Sequence, residues 1–271
     1  MAMQKNPGTA LITGASTGIG ALYADRLARR GYDLVLVARN RERLDTLARR
    51  LIAQTHRSVE VMVADLNSSA DLVRIETRLR TDARLSMLIN NAGVGATAAL
   101  LNSDVDKMED MIALNVRALT RLTYAAVPGL VARGRGALIN IASIVALAPE
   151  ALNGVYGASK AFVLAFSQSL QHELADKGIR VQVVLPGITA TAFWDIAGTA
   201  IEHLPPHMVM SGEDLVDAAL AGFDLGEFVT LPSLPDAAQW QAFEAARAAL
   251  RPNLSLKTPA QRYGIAPRAA A

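Results

Sequence analysis

The sequence predicts an α/β protein with a doubly wound parallel sheet, folded as a single domain with helices on both faces. Six short runs rich in Val, Ile and Leu, and a shorter seventh, alternate with longer segments of helical periodicity. The runs are apolar at successive positions, which is typical of strands covered on both faces. Helical segments between such strands indicate parallel crossovers, and these build a doubly wound sheet.

Each element follows from this pattern in chain order. We expect strands at residues 9–13, 33–38, 59–64, 85–89, 137–142 and 179–185, and a seventh at 228–231. We expect helices at residues 19–30, 40–54, 69–81, 104–131 and 154–177, where apolar residues recur at helical spacing. After Pro186, prolines interrupt the pattern and the predicted helices become short.

Composition excludes several classes of protein. Of the 271 residues, 51% are hydrophobic and 19% are charged, which excludes a disordered or collagen-like chain. The 27 basic and 25 acidic residues leave a net charge of +2, which argues against a nucleic-acid partner. The lack of cysteine excludes disulfides and thiolate metal sites. The start is polar and no apolar run reaches the ~18 residues of a bilayer span, so we expect a cytoplasmic protein with no membrane partner.

The first strand runs into a glycine-rich loop that is suited to phosphate. Gly14, Gly18 and Gly20 stand at G-x-x-x-G-x-G spacing between this strand and the first helix. Gly14 permits a tight turn, Gly18 lets a pyrophosphate approach the backbone, and Gly20 lets the helix pack on the sheet. The N–H groups at the start of the helix would bind the phosphates. An ordinary glycine turn is the alternative interpretation.

The end of the second strand favours NADP over NAD. A dinucleotide fold often has an acid here that binds the adenosine ribose, but Asp33 lies at the opposite end of the strand. Arg39 is placed instead to bind a 2′-phosphate, with Ser16, Asn40 or Arg43 as helpers. The alternative is that Arg39 is a solvated charge at the start of a helix.

A candidate proton-transfer group occurs later in the chain. Tyr156 and Lys160 are four residues apart in the predicted helix 154–177, so they share one face. Ser143 closes the strand at 137–142, and Asn115 lies inside the helix before that strand. A lysine cation lowers the pKa of a neighbouring phenol and so suits it to general acid–base catalysis. A Tyr-x-x-x-Lys pair alone is more often a surface or core pair, so the prediction depends on the preceding phosphate loop.

Together these motifs resemble the short-chain dehydrogenase/reductase family, in its compact single-domain branch with a Rossmann-like fold. The matching segments are TGASTGIG at 13–20, Asp65-Leu66, Asn90-Asn91-Ala92-Gly93, Asn115, Ser143, YGASK at 156–160 and PGITAT at 186–191. They span about residues 9–191, and their joint occurrence in this order is highly specific. The resemblance implies that Ser143, Tyr156 and Lys160 are catalytic and that Asn115 is the fourth member. It also implies that Asn115 kinks its helix and holds a water, and that Lys160 binds the nicotinamide ribose.

The resemblance also implies a set of cofactor-binding residues. These are Gly14, Ser16, Thr17, Gly18, Ile19 and Gly20 in the loop; Asp65 and Leu66 at the adenine; Asn91, Ala92 and Gly93 at the adenosine ribose; and Pro186, Gly187, Ile188 and Thr191 at the nicotinamide, with Arg39, Tyr156 and Lys160. Many NADP-preferring members carry a basic residue just before the second glycine of the loop. Thr17 stands there in this chain, so the preference for NADP(H) rests mainly on Arg39, and use of NAD(H) stays open.

Further expectations concern architecture and partners. We expect a domain at 1–250, a substrate-covering segment at about 188–225, and a C-terminal tail or arm at 251–271. Small and apolar faces on the helices at 104–131 and 154–177 predict a homodimer or homotetramer. No metal site is expected, because Pro205 and Pro206 separate His203 from His207 and no third ligand is evident.

These expectations predict an NADP(H)-dependent oxidoreductase. A hydride would pass between the nicotinamide and a small-molecule carbonyl or secondary alcohol, with Tyr156 as general acid or base. The alternatives are a non-catalytic NADP-binding sensor or scaffold with the same fold, and an epimerase or dehydratase. The substrate itself does not follow from the sequence, although the aromatic and Met residues at 189–212 favour an apolar one.

Overall fold

In this computed structural model, which describes residues 7–265, the predicted sheet is present and every pairing in it is parallel. Within those residues it contains β1 (Thr9–Thr13), β2 (Asp33–Ala38), β3 (Val59–Val63), β4 (Leu85–Asn90), β5 (Gly136–Ile141), β6 (Ile179–Val184) and β7 (Val229–Thr230). The strand order is β3-β2-β1-β4-β5-β6-β7. The predicted doubly wound parallel sheet is therefore confirmed.

The helices confirm most of the predicted segments. They are α1 (Gly18–Arg29), α2 (Arg41–Thr55), α3 (Ser69–Thr81), α4 (Val105–Ile112), α5 (Leu119–Ala132), α6 (Gly154–Leu174), α7 (Phe193–Ala197), α8 (Gly212–Leu225) and α9 (Ala237–Ala249). The helix expected at 104–131 is not uniform, because a π-helical turn at Ala113–Ala118 separates α4 from α5. Inside the expected covering segment 188–225, α8 is a core helix.

Two apolar layers enclose the sheet, and this explains why its strands are apolar at successive positions. Along β2, Leu34 and Leu36 belong to one layer, while Val35 and Val37 belong to the other. The first layer is covered by α1, α2 and α8, and the second by α3, α5 and α6. A strand with apolar residues on both faces is stable only between two such layers.

The strand order brings the glycine loop next to the residues that follow β4. Because β1 lies between β2 and β4, the chain segments that leave β1 and β4 emerge side by side at the carboxyl edge of the sheet. The Thr13 hydroxyl donates to Ile89 O (3.2 Å) and accepts from the N–H groups of Asn91 and Ala92 (3.0 Å each). This side chain joins the ends of the two strands at the switch point of the sheet.

The chain divides into two compact units between Pro232 and Ser233, earlier than the boundary expected at residue 250. The first unit contains the sheet and the helices α1 to α8. The second contains α9, which buries none of its residues. The tail expected at 251–271 includes short 3₁₀ turns at Arg251–Asn253 and Gln261–Tyr263, and residues 266–271 lie outside the described part of the chain. No helix within residues 7–265 is both long and apolar enough to cross a bilayer.

Candidate active site

The candidate catalytic residues meet where β5 ends and α6 begins. Ser143 follows β5 and is 8% exposed, and Tyr156 and Lys160, on one face of α6, are 5% and 6% exposed. The Asn153 side chain caps α6 by accepting from the N–H groups of Val155 (2.9 Å) and Tyr156 (3.3 Å). This cap starts the helix at the position that turns Tyr156 toward the strand.

Polar links connect β5 to α6 along the shared face, and we call them the β5–α6 ladder. From the carboxyl edge of the sheet inward they are Ser143 with Tyr156 through their hydroxyls, Lys160 Nζ donating to Ile141 O (3.0 Å), and Asn140 Nδ2 donating to Ser167 Oγ (2.9 Å). Asn90 Nδ2 extends the innermost link by donating to Asn140 Oδ1 (2.9 Å). The ladder fixes the position of α6 along β5.

Asn115 occupies the π-helical turn between α4 and α5 and is 2% exposed. Its Oδ1 accepts from Val94 N (3.0 Å), and its Nδ2 donates to Val94 O (2.9 Å) and to Ser159 Oγ (3.0 Å). The amide therefore joins the loop after β4 to α6. A π-turn is a local irregularity of a helix that often occurs at functional sites, and it agrees with the expected kink. The expected water at Asn115 stays a prediction.

Gly93 brings the loop after β4 close to this group. A Cβ on Gly93 would lie 3.0 Å from Asn115 Oδ1 and 3.3 Å from Lys160 Nζ. Both contacts are tight, so a side chain at Gly93 would require the Asn115 amide and the Lys160 ammonium to shift by a few tenths of an ångström. Sequence reasoning placed Gly93 in a stretch that lines the adenosine ribose and stabilises the central sheet, and it did not predict this proximity to Asn115 and Lys160.

The net change in the pKa of Tyr156 is a rise, not the lowering that was expected from a neighbouring lysine. Burial raises the pKa of Tyr156 to about 12, and the hydrogen bond with Ser143 offsets only part of that rise. Burial also lowers the pKa of Lys160 to about 8. The Lys160 Nζ atom donates to a backbone carbonyl and lies 5.9 Å from the centre of the Tyr156 ring. Removal from water is therefore the largest influence on the pKa of both groups.

The glycine loop fits a pyrophosphate. Gly14 (φ +66°) and Gly18 (φ +53°) adopt left-handed backbone, and a Cβ on Gly20 would lie 2.4 Å from Gly14 O. Side chains cap α2, α3, α4, α6, α8 and α9, namely those of Asn40, Ser68, Asp104, Asn153, Ser211 and Asp236. Thr17 begins α1 without such a bond, so within the described residues no side chain occupies the first amides of α1. Those amides are suited to an anion.

A pocket beside this loop contains most of the residues expected at the 2′-phosphate. Ser16, Asn40 and Arg43 line it together with Thr46 and Arg50, while Arg39 is exposed at the end of β2. Sequence reasoning missed Arg50, which lies seven residues after Arg43 and hence on the same face of α2. Glu42 also lines this pocket, but the guanidinium groups of Arg43 and Arg50 outnumber its carboxylate, so the pocket suits an anion.

The residues expected at the adenine and ribose flank the loop. Asn91 Nδ2 donates to the carbonyl oxygens of Thr13 (2.9 Å) and Gly14 (3.2 Å), so it holds the glycine loop against β4. Asp65 Oδ1 accepts from Asn67 N (3.0 Å), and Leu66 is buried. Their contact with a nucleotide stays a prediction.

The segment that follows β6 borders both the catalytic group and the loop. The Pro186 carbonyl accepts from Ser143 Oγ (3.4 Å). The base of the segment is closed where Ala190 N donates to Met210 O (2.8 Å). The Thr191 methyl group would lie 3.3 Å from a Cβ on Gly18, so Thr191 reaches the phosphate loop. The predicted nicotinamide segment thus connects the two halves of the cleft.

Comparison with known proteins agrees with this geometry. The family model described as short chain dehydrogenase matches residues 8–200. The chain belongs to the short-chain dehydrogenase family. A short-chain dehydrogenase from Sphingobium yanoikuyae, solved in complex with NADPH, is 50% identical, with a TM-score of 0.91 over 94% of this chain and 100% of that one.

Two further relatives of this short-chain dehydrogenase extend the comparison. The bulky-bulky ketone specific alcohol dehydrogenase from Comamonas testosteroni is 45% identical, with a TM-score of 0.88 over 96% of this chain and 99% of that one. The very-long-chain 3-oxoacyl-CoA reductase of Anas platyrhynchos is 34% identical over 257 residues, which are 93% of this chain and 80% of that protein.

An apolar cluster covers Tyr156 of this dehydrogenase. Tyr156 packs with the buried side chains of Met111 and Val145, and Phe193 packs against them from α7. The Phe193 and Tyr156 ring centroids are 5.7 Å apart. The cluster excludes water around the phenol, and it accounts for the rise in the pKa of Tyr156. Sequence reasoning included Phe193 in the covering segment, but nothing local indicated which residue it contacts.

Proposed function

We propose that this chain reduces a carbonyl group with NADPH and, in reverse, oxidises a secondary alcohol. The supporting observation is that the hydroxyl groups of Ser143 and Tyr156 share a hydrogen bond in a buried cleft that also contains Lys160. This cleft adjoins a glycine loop that suits a pyrophosphate. A hydroxyl pair beside a dinucleotide site matches proton transfer to a substrate oxygen.

The cofactor proposed is NADP(H). The glycine loop and the uncapped start of α1 would hold the pyrophosphate, and Arg39, Ser16 and Arg43 would hold the 2′-phosphate. The similar dehydrogenase from Sphingobium yanoikuyae is in complex with NADPH. When bound, NADPH supplies the hydride that reduces the carbonyl carbon.

The residues of the chain supply the proton and position the substrate. With a pKa of about 12, Tyr156 is protonated at neutral pH and donates its proton to the carbonyl oxygen. The Ser143 hydroxyl binds the same oxygen and orients the carbonyl. Below pH about 8 the Lys160 ammonium is charged, and it stabilises the negative charge that develops on the phenol oxygen as the proton leaves.

The substrate proposed is a ketone with apolar substituents. The side chains around Tyr156 are those of Met111, Val145 and Phe193, which offer an apolar surface to the two substituents of a ketone. The similar enzyme from Comamonas testosteroni is specific for bulky-bulky ketones.

Turnover of NADPH in the presence of ketones tests the proposal. Tyr156→Phe should lose roughly 10²–10⁴-fold in kcat because the proton donor is gone, and Ser143→Ala should also lose turnover. NADPH should still raise the melting temperature of both variants. The matched control is Tyr263→Phe, because Tyr263 is 63% exposed and lies in a short turn of the second unit. A Tyr156→Phe enzyme with near-normal turnover would refute the assignment, and NADPH binding without reduction of any ketone would favour a sensor or scaffold.

Cofactor choice has its own test. At saturation NADPH should raise the melting temperature more than NADH, and Arg39→Ala should narrow this difference while Arg41→Ala leaves it unchanged. Both arginines are exposed and lie two positions apart, so the second is a control for the loss of surface charge. Greater stabilisation by NADH than by NADPH would overturn the preference.

We also propose a cytoplasmic homodimer or homotetramer formed through α5 and α6. Tyr124 on α5 stacks on Phe166 of α6 (6.5 Å between centroids, 1° between planes), and Phe166 stacks in turn on Phe162. Tyr124 is 70% exposed and Phe162 is 38% exposed, so the strip is available to a second copy. Sedimentation of the protein, and of a Phe162→Asp variant that should dissociate, tests this proposal.

A further inference from the structure

Access to Tyr156 is closed by side chains that are buried to different extents. Tyr156 is 5% exposed, so a ketone that reaches its hydroxyl must displace a neighbour. Met111 and Val145 are 2% and 3% exposed and belong to α4 and to the turn after β5. Phe193 is half-buried and lies on α7, a helix of five residues outside the sheet layers. Phe193 is therefore the neighbour that a substrate displaces at the smallest free-energy cost.

The Phe193 ring has a defined position over the catalytic tyrosine. It packs on Tyr156 at 5.7 Å with 42° between the planes, and on Trp194 edge to face at 5.5 Å. Trp194 is buried and its Nε1 donates to Thr189 O (3.0 Å). Trp194 thus anchors α7, while Phe193 extends over the phenol.

Gly95 provides the space for this ring. A Cβ on Gly95 would lie 2.3 Å from Phe193 Cζ and 2.9 Å from Cε2. The backbone on either side is tied down, because the Asn115 amide binds both the N–H and the carbonyl of Val94, and Ala96 O accepts from Asn153 N (3.3 Å). A side chain at Gly95 would therefore displace the ring rather than the backbone.

We propose that Phe193 selects substrates by size and that Gly95 sets the position of its ring. This inference rests on the proposed reduction of ketones and deepens it. The ring is the wall against which the second substituent of the ketone packs, so a small substituent displaces the ring only slightly and a long one must push it farther aside. Residues 95 and 193 act as one unit, and a change at either residue alters the same wall.

A homologous series of phenyl alkyl ketones, from acetophenone to hexanophenone, tests the inference. Phe193→Ala should raise the ratio of kcat/KM for hexanophenone to that for acetophenone by about tenfold, and Phe193→Leu should raise it less. Gly95→Ala should change this ratio in the unaltered protein but not in the Phe193→Ala background, where the colliding ring is gone. The matched control is Gly154→Ala, because a Cβ there meets no atom within 4 Å.

Each outcome decides one point. If the ratio of kcat/KM for hexanophenone to that for acetophenone is unchanged in both Phe193 variants, and NADPH still binds, Phe193 does not select substrates. This result overturns the role of Phe193 but leaves the proposed function standing. An equal effect of Gly95→Ala in both backgrounds overturns the pairing with Gly95. If Phe193→Ala does not fold, Phe193→Leu provides the same comparison. Binding of NADPH without reduction of any ketone by the unaltered protein overturns the proposed function, and this inference with it.

Discussion

The two walls of the cleft are built differently. On one side, the β5–α6 ladder joins buried side chains through hydrogen bonds, and all of its members except Ile141, which contributes only its carbonyl, are polar. On the other side, the part of the expected covering segment that precedes α8 is attached by a short β-bridge at its base. It is also attached by Ala197 O, which accepts from N and Oγ1 of Thr97 (3.1 and 3.0 Å). Proton transfer requires fixed distances, whereas substrate entry requires a wall that opens.

The contrast between the two walls predicts that, among the substitutions that test it, a change at Lys160 has the largest effect on kcat. Lys160→Met should lower kcat by about a hundredfold or more, because no ammonium remains to stabilise the charge on Tyr156. The same change should stabilise the protein at pH 7 in the absence of nucleotide, because it removes a charge that burial disfavours. From the shift in the Lys160 pKa to about 8, the gain is at most about 3 kcal/mol.

The gain in stability from Lys160→Met should depend on pH in a defined direction. Lys160 has its ordinary pKa near 10.5 in the unfolded chain and about 8 in the folded one, so between these values the unfolded chain binds more protons. The destabilising effect of Lys160 is fully present below pH 8 and is lost as pH rises toward 10.5. Thermal melts should therefore show a larger gain for Lys160→Met at pH 7 than at pH 10. An equal gain at both values would show that the lysine charge is not the cause.

A smaller effect is expected at the inner end of the ladder. Ser167→Ala should leave Asn140 Nδ2 without its partner on α6, which costs about 1–3 kcal/mol of stability. Without this bond α6 can shift against β5, which should lower kcat about tenfold. The shift also changes the surroundings of Lys160 and should move the alkaline limb of the pH profile of kcat. The control is Ser169→Ala, an exposed serine on the same helix. Lost stability with unchanged kcat and pH profile would mean that the inner link supports the fold without positioning the site.

The smallest effect is expected where the covering segment is attached. Thr97→Val removes the bond from Oγ1 to Ala197 O and the contact with Thr199 Oγ1, but it keeps the backbone bond. We expect KM for the ketone to rise about threefold while kcat and the melting temperature change little. Thr199→Val removes only the second contact and should have less effect. A large loss of kcat in Thr97→Val would contradict the division of roles between the walls.

Much of the fold was predictable because its causes are local. The strands β1 and β2 end where the apolar runs end, and α1 starts at the second glycine of the loop. The local helical pattern did not predict the π-turn at Ala113–Ala118, and only the family resemblance implied a kink at Asn115. The turn accompanies the bonds from Asn115 to Val94, which lies 21 residues away.

The candidate site was also predictable only in part. Spacing placed Tyr156 and Lys160 on one face, but the pKa of each is set by burial, which no spacing reveals. Asn140 did leave a signal, as one amide inside the apolar run ALINIA at 137–142, and the structure explains it through Ser167. Gly95 and Phe193 left none, since their contact joins residues nearly a hundred positions apart.

The uncapped start of α1 also gives the molecule a local reporter of occupancy. Amide hydrogens without a partner exchange readily with deuterium, while those that bind an anion are protected. Peptides covering residues 14–21 should therefore take up deuterium more slowly once nucleotide is added. Peptides at the start of α8, where Asp214 N already donates to Ser211 Oγ (3.0 Å), should change little. Mass spectrometry of these two helix starts can thus detect nucleotide before any substrate is known.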